Sequence, residues 1–358
     1  MFVYVGSYTS ADRNGRGTGI TVYRAEQLAT AWERVQTVAT IDNPSLLRVG
    51  PDGRMLYAVH GARTSLSAFA IDPVDGRLVP RGSAQSGGLN PVDLAFLPGG
   101  RFLVTANYTS GTIAMLPVDQ DGTLQQACQT ITLARPGYGS GEPEATLPHG
   151  VTVDPSGRFV LIPAKGLDCV FVFRFDPSGR LMPAAAPYAA CSAGSGPRHA
   201  VFHPELPFLY VVSELACIIQ VFRWNAETGG LSIVQVASTL PARDAGAPAA
   251  GQSQAAEIAI SQDGRSLYAS NRGHDSIAHF AVDQKTGLLG LAQCMSCQGH
   301  EPRFFDLAPD GRTLHVANQE SDNIISFYLN EKGGLGTATL SASVGSPSSI
   351  CFAASPRN

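Results

Sequence analysis

The sequence predicts an all-β chain: a seven-bladed β-propeller of four-stranded antiparallel blades. Three observations carry that prediction. A unit of short apolar strands recurs about every fifty residues, the length of a four-stranded blade. Glycine and proline are abundant, 38 and 24 of 358 residues, which together with many short apolar runs favours strands and turns over helices. The two chain ends, finally, are complementary fragments of one unit.

Each unit reads as an apolar strand, a turn of the Pro-Asp-Gly-Arg type, a strand ending near Asn, then two further strands. The second strand shows it best. It appears as Pro51-Asp-Gly-Arg-Met-Leu-Tyr-Ala-Val-His, Pro98-Gly-Gly-Arg-Phe-Leu-Val-Thr-Ala-Asn and Pro155-Ser-Gly-Arg-Phe-Val-Leu-Ile-Pro-Ala. It returns as Pro204-Glu-Leu-Pro-Phe-Leu-Tyr-Val-Val-Ser, Gln262-Asp-Gly-Arg-Ser-Leu-Tyr-Ala-Ser-Asn and Pro309-Asp-Gly-Arg-Thr-Leu-His-Val-Ala-Asn. The seventh unit is shared. Ser348-Ser-Ile-Cys-Phe matches an innermost strand, and Phe2-Val-Tyr-Val-Gly-Ser-Tyr-Thr a second strand. Gly19-Ile-Thr-Val-Tyr and Trp32-Glu-Arg-Val-Gln-Thr-Val supply its third and fourth. N- and C-terminal strands sharing one blade would close the ring and pair edges otherwise left free. Residues 1–358 are therefore expected to form one domain without a linker.

Composition removes several classes of function. A net charge of −4 offers no footprint for nucleic acid or an anionic membrane. No apolar run approaches the roughly 20 residues of a membrane helix. The N-terminus lacks a basic region and a cleavage site and already reads as a strand, so a cytoplasmic protein is expected. The seven cysteines are an odd, scattered set with one Cys-x-x-Cys, Cys294 and Cys297, and read as reduced thiols in apolar runs. No carboxylate ring suits Ca²⁺ and no tight His spacing suits Zn²⁺, so no metal or cofactor is expected. Oligomeric state is left open.

The Pro-x-Gly-Arg turns read as structural, because Pro and Gly supply the dihedral angles of a tight turn. Two longer connections, 135–148 and 241–254, are rich in Gly and Pro and lead from an outer strand to the next innermost one. They are expected over the charged face, where they could act as lids.

The stretch from Gly196 to Phe222 locates that face. Two strands meet at a turn near Pro204–Pro207, so Arg198 and His199, starting the first, lie at the same end as Glu214, ending the second. Matched positions elsewhere collect His60, Asn90, Asp93, Asn107, Tyr108, His149, Glu257, Asn271, Arg272, His274, Arg303, Asn318, Gln319 and Glu320 on the same rim. Arginine forks bind carboxylate or phosphate bidentately, which predicts a small anionic ligand, with Asn and Gln for its hydroxyls. His149 and Glu214 are the candidates for proton transfer, and an Arg can stabilise a developing oxyanion. No Ser or Cys sits in a nucleophile elbow, so water is the expected nucleophile.

The runs Pro148-His-Gly-Val-Thr-Val-Asp-Pro, Gly196-Pro-Arg-His-Ala-Val-Phe-His-Pro with Ser213-Glu-Leu, Ala255-Ala-Glu-Ile with Ser270-Asn-Arg, and Glu301-Pro-Arg-Phe-Phe resemble the seven-bladed propeller lactonase family. That family includes bacterial propeller-type 6-phosphogluconolactonases and the fungal carboxymuconate-lactonising enzyme, and the resemblance covers essentially the whole chain. It implies functional positions at His149, Arg198, Glu214 and Arg272, and Glu257 and Arg303 match further pocket motifs; His199, Asn271, Gln319 and Lys165, read from their places on the rim, are expected to bind substrate beside them. Two departures stand out. Gly150 and Val151 follow His149 where some relatives have a second His, and Lys165 falls where many have Asp-Leu-Gly. The expected activity is hydrolysis of a sugar-acid lactone, foremost 6-phosphogluconolactone, with His149 and Glu214 activating water. The alternatives are a lactone-forming cycloisomerase acting on a carboxymuconate, and a non-catalytic propeller scaffold for protein partners. Against the scaffold, neither Trp32 nor Trp224 is followed by Asp.

Overall fold

The computed structural model describes residues 1–134, 146–176, 179–241 and 252–353. Its strands form seven four-stranded antiparallel sheets. Six are consecutive in the chain: blades 1 (44–85), 2 (91–132), 3 (152–190), 4 (197–238), 5 (254–296) and 6 (302–343). Blade 7 joins the ends. Its innermost strand, Pro347–Ala353, pairs antiparallel with Phe2–Ser7, from Phe2 opposite Ala353 to Ser7 opposite Pro347. Ile20–Arg24 and Glu33–Val38 complete it. The innermost strands of successive blades lie side by side, and blade 7 contacts both blade 6 and blade 1, closing the ring.

The reason is visible in the burial pattern. Second strands such as Met55–His60 and Phe208–Ser213 are buried along their whole length, because both faces of an inner strand pack on neighbouring blades. Outer strands such as Leu78–Gln85 are mostly exposed. The cores therefore lie between blades, as where Tyr210, Val212, Leu267 and Phe280 pack together. Each such side chain contributes about 1.5–3 kcal/mol.

Two repeated polar ties also set blade against blade. The second-strand tyrosines Tyr4, Tyr57, Tyr210 and Tyr268 each donate their hydroxyl to a carbonyl in the next blade, at Gly76, Gly122, Gly287 and Gly333. Those glycines have φ of 74°, 85°, 68° and 75°, a left-handed region that favours Gly. Outer-strand Gln36, Gln129, Gln235 and Gln293 clamp the backbone of Leu78, Leu181, Leu289 and Leu335 through both amide groups.

The Pro-x-Gly-Arg turns are structural, as their chemistry suggests. Asp52, Asp263 and Asp310 each accept a backbone hydrogen bond two residues on, from Arg54, Arg265 and Arg312. Among the described residues, no helix is long and apolar enough to cross a membrane. The greater parts of the two long connections, 135–145 and 242–251, lie outside the described residues.

Candidate active site

A repeated local device builds the mouth of the channel. In six blades the innermost strand is entered through a residue with positive φ followed by Pro: Asn43-Pro44, Asn90-Pro91, Leu147-Pro148, Gly196-Pro197, Glu301-Pro302 and Ser346-Pro347. In five of them, just past the proline, the strand carries a β-bulge. Pro197 pairs with Ser213 and His199 with Val212, so Arg198 is the extra residue. Arg303 is the extra residue between Pro302 and Phe304 in the same way, and blade 5 is bulged over Ala256 and Glu257. A bulge re-aims a side chain out of the pleat, and here it does so at the channel mouth. His149 takes the equivalent place in blade 3, one residue past the isolated bridge of Pro148 to Ala164.

The second strands contribute the residue after their last structural position. The backbone N–H of Tyr8, Gly61, Tyr108, Lys165, Glu214 and Gln319 each donates to the carbonyl just before the blade's inner strand. These residues are therefore equivalent around the ring, and Arg272 occupies the same step in blade 5.

That register separates site residues from their neighbours. Asn271, expected to bind substrate, precedes Arg272 and is wholly buried. Its amide donates to the Thr239 carbonyl and the Ser276 hydroxyl, and its oxygen accepts from the Thr239 hydroxyl. Asn107 and Asn318 do the same with the Ser86 and Cys297 carbonyls. These asparagines tie a blade to the end of the preceding outer strand, and Asn271 keeps no donor for a ligand. His60 is likewise engaged, by the Asp42 carbonyl and the Ser67 hydroxyl. Gln319 stays at the rim, half-buried, with its amide on Glu320. His274 bonds the Ser276 hydroxyl.

Asn90, Asp93 and Glu320 pair elsewhere, with Thr109, Arg48 and Arg16, whereas Lys165, Arg198, Glu214, Arg272, His149, His199 and Glu257 meet in two linked groups. Glu214 is the centre of the first, buried and ringed by Lys165 Nζ at 2.6 Å, Arg198 Nε at 3.2 Å and Arg272 at 3.3 Å. Burial alone would raise its pKa, but the three cations outweigh it and lower the pKa to about 2. It is a fixed anion. Arg198 also donates to the Ala256 carbonyl, and Arg272 to that of Ala255. Burial, with Arg303 and Arg272 nearby, lowers the Arg198 pKa to about 10, so it stays charged at neutral pH.

The second group is a line. His149 Nδ1 lies 3.1 Å from His199 Nε2, and His199 Nδ1 lies 2.9 and 3.0 Å from the two oxygens of Glu257. All three are buried. Gly150 makes the line possible, since a Cβ there would sit 2.8 Å from the Arg198 carbonyl and 3.3 Å from the His199 ring. Burial first, then the charges of Arg198, Arg303 and Lys165, hold the His149 pKa well below the ordinary histidine value. Tyr108 stands edge-on to His149 at 5.6 Å between ring centres, with Lys165 Nζ 5.9 Å from its own centre.

Sequence reasoning placed Glu214 beside His149 as a partner in proton transfer. The carboxylate in line with His149 is instead Glu257, through His199. Reasoning also missed Tyr8, whose ring lies 5.2 Å beneath the Arg303 guanidinium. Tyr8 follows Ser7 as Arg272 follows Asn271, so the repeat register could have found it. A cavity of about 1800 Å³ opens at the opposite end of the ring, among turn residues such as Asp263 and Asp310. It ascends the channel past Arg48, Asp93 and Asp306 and ends on His199 and Glu257. It therefore touches the site only from behind. The cationic mouth is the better ligand site, because the charges that recognise a ligand face that side.

A closed ring of seven blades, with a neutral histidine set among four cations at one channel mouth, defines a propeller of the enzyme type rather than a bare scaffold. The chain belongs to the family described as "Lactonase, 7-bladed beta-propeller", whose model matches residues 2–352. It is similar to the 6-phosphogluconolactonase of Bacillus subtilis, 29% identical over 309 residues, 86% of this chain and 84% of that protein. The 6-phosphogluconolactonase of Formosa agariphila is 30% identical over 86% of each chain. Among solved structures, the periplasmic gluconolactonase of Pseudomonas aeruginosa superposes with a TM-score of 0.89 at 32% identity, covering 99% of both chains.

Proposed function

We propose that this chain hydrolyses a sugar-acid lactone at the cationic mouth, with 6-phosphogluconolactone as the leading substrate. The observation that carries the reading is the geometry of the mouth, where His149 is buried beside Tyr108 and His199, next to the cluster in which Lys165, Arg198 and Arg272 surround Glu214, so that burial and the nearby cations hold its pKa low. A histidine held unprotonated at neutral pH can act as a base, and cations beside it can hold an anionic substrate and a developing oxyanion. His149 takes a proton from water as the water oxygen attacks the lactone carbonyl. Arg198 and Arg272 stabilise the oxyanion. The ring C–O bond then breaks, and the proton passes from His149 to the departing ring oxygen, leaving the open hydroxy acid.

The ion-pair pattern supports a division of labour among the cations. Lys165, Arg198 and Arg272 share one carboxylate, whereas Arg303 makes no salt bridge among the described residues and rests on Tyr8. Arg303 is accordingly the anchor for the substrate's phosphate. The names of the relatives support the reaction class.

The test follows loss of freshly made 6-phosphogluconolactone at neutral pH, with gluconolactone and a carboxymuconate alongside and spontaneous hydrolysis subtracted. Fast loss of the phosphorylated lactone that falls about 10²–10⁴-fold in His149→Ala is expected. Turnover of the muconate alone would replace hydrolysis by cycloisomerisation.

A further inference from the structure

His199 and Glu257 fit poorly as substrate contacts. They lie one step deeper than the bulged residues Arg198 and Ala256, against the head of the rear channel, and their polar atoms face each other and His149. What they do follows from which atoms can donate.

An ionised carboxylate only accepts hydrogen bonds. Glu257 is kept ionised against the cost of burial by the hydrogen bond from His199 and by Arg198 and Arg48, and its Oε1 also accepts from the Ile258 backbone N–H at 3.1 Å. His199 Nδ1, within 3.0 Å of both Glu257 oxygens, must then carry the proton. A competing donor is present, since Arg198 Nη1 is 3.3 Å from the same nitrogen. That contact is longer, and Arg198 Nη1 already donates to the Ala256 carbonyl. A bare Nδ1 would also point its lone pair at the carboxylate. The carboxylate wins on distance and on charge. Where both rings are neutral, His199 Nε2 is left as an acceptor, and the atom 3.1 Å away, His149 Nδ1, must donate to it. One assignment remains for His149: proton on Nδ1, lone pair on Nε2.

We propose that Glu257 and His199 are positioning residues that fix His149 in the tautomer whose Nε2 is free to take a proton from water. The proposal rests on the hydrolytic reading above, and names the groups that make its base competent. In turnover, Nε2 gains the proton of the attacking water and later returns it to the ring oxygen. The imidazolium formed between those steps is stabilised by Glu257 through His199, while Nδ1 keeps its proton. This is the role of the aspartate in a Ser-His-Asp triad, one imidazole further removed. The groups facing the pair are Arg198, Arg48 and the channel carboxylates Asp93 and Asp306.

The variant that tests it is Glu257→Gln. The amide keeps the Ile258 bond through its oxygen, in the place of Oε1, and sets its NH₂ in the place of Oε2, 3.0 Å from His199 Nδ1, where a proton on that nitrogen faces an N–H and no longer an anion. His199 Nε2 becomes the donor, and His149 is driven to the wrong tautomer. The ¹⁵N NMR signals of the His149 ring at about pH 8, where imidazoles are neutral, should show Nδ1–H in the natural protein and Nε2–H in Glu257→Gln. For the leading lactone, kcat should fall about 10²–10⁴-fold with KM within about threefold. Glu257→Asp should recover part of the loss, and equal melting temperatures would confirm that the variants fold. Nε2–H on His149 in the natural protein, or kcat unaltered in a folded Glu257→Gln, would overturn the proposal. The NMR reading needs no substrate. Correct tautomers in a protein that opens none of the lactones would leave the positioning intact and sink the hydrolytic reading instead.

Discussion

Lys165 Nζ lies 2.6 Å from Glu214 Oε1, the shortest of the three ion pairs that Glu214 makes with cations of the mouth. Lys165 therefore does not wait as a free phosphate ligand. It neutralises part of a carboxylate that Arg198 and Arg272 also share, and its charge also helps to hold the His149 pKa down.

Replacing it should move a pH profile. In Lys165→Met one cation near His149 is lost, so the His149 pKa rises toward its ordinary value. The acid limb of kcat/KM should shift to higher pH by up to about one unit, since each unit corresponds to roughly 1.4 kcal/mol of lost repulsion. A limb that stays in place or moves to lower pH would show that Lys165 does not act on the base.

Arg303 should report on the phosphate. Arg303→Met is expected to raise KM for 6-phosphogluconolactone at least tenfold, about the loss of one charge-assisted contact, with little change for unphosphorylated gluconolactone. Equal losses on both lactones would move Arg303 from phosphate binding to the reaction centre.

Glu214 ties acid stability to the site. Its pKa is lowered when folded, from an ordinary 4.5 to about 2. Its stabilisation is thus fully present above about pH 4.5 and is lost as pH falls toward 2, on the order of 3 kcal/mol over that window. Glu214→Gln should lose this pH dependence. At neutral pH it should be less stable by roughly 3–5 kcal/mol, because three buried cations lose their carboxylate. Denaturant titrations of both proteins from pH 7 to about pH 3 would measure it.

Asn271 and Arg272 are adjacent and should behave oppositely. Asn271→Ala removes the buried bonds to Thr239 and Ser276, and should cost about 1–3 kcal/mol of stability while leaving kcat of the folded protein nearly unchanged. Arg272→Ala should lower kcat about 10²–10³-fold, as expected of an oxyanion contact. Thermal denaturation and initial rates on the two variants decide it.

Much of this was legible in the chain itself, and the physical reason is the repeat. Four strands in about fifty residues, closed by Pro347–Ala353 pairing with Phe2–Ser7, fix which strand ends share a rim. Once the rim is fixed, His149, Lys165, Arg198, Glu214, Arg272 and Arg303 follow, because each occupies a register position that recurs in every blade.

The tertiary structure decided who touches whom. Residues from different blades are separated by tens of positions in sequence, and a periodic pattern carries no information on their contacts across the axis. Strand-end asparagines look like ligand contacts until their amides are found on the preceding blade's carbonyls. Glu214, just past the end of a second strand, and Glu257, within an innermost strand, are both carboxylates facing the same rim, and their spacing does not say which one serves His149. A bulge and a glycine at position 150 bring one of them into line with His149 through His199, and three cations claim the other. Repetition along the chain determined the ring and its rim. Packing across the ring assigned the charges their partners, because a carboxylate's role depends on its neighbours within a few ångströms.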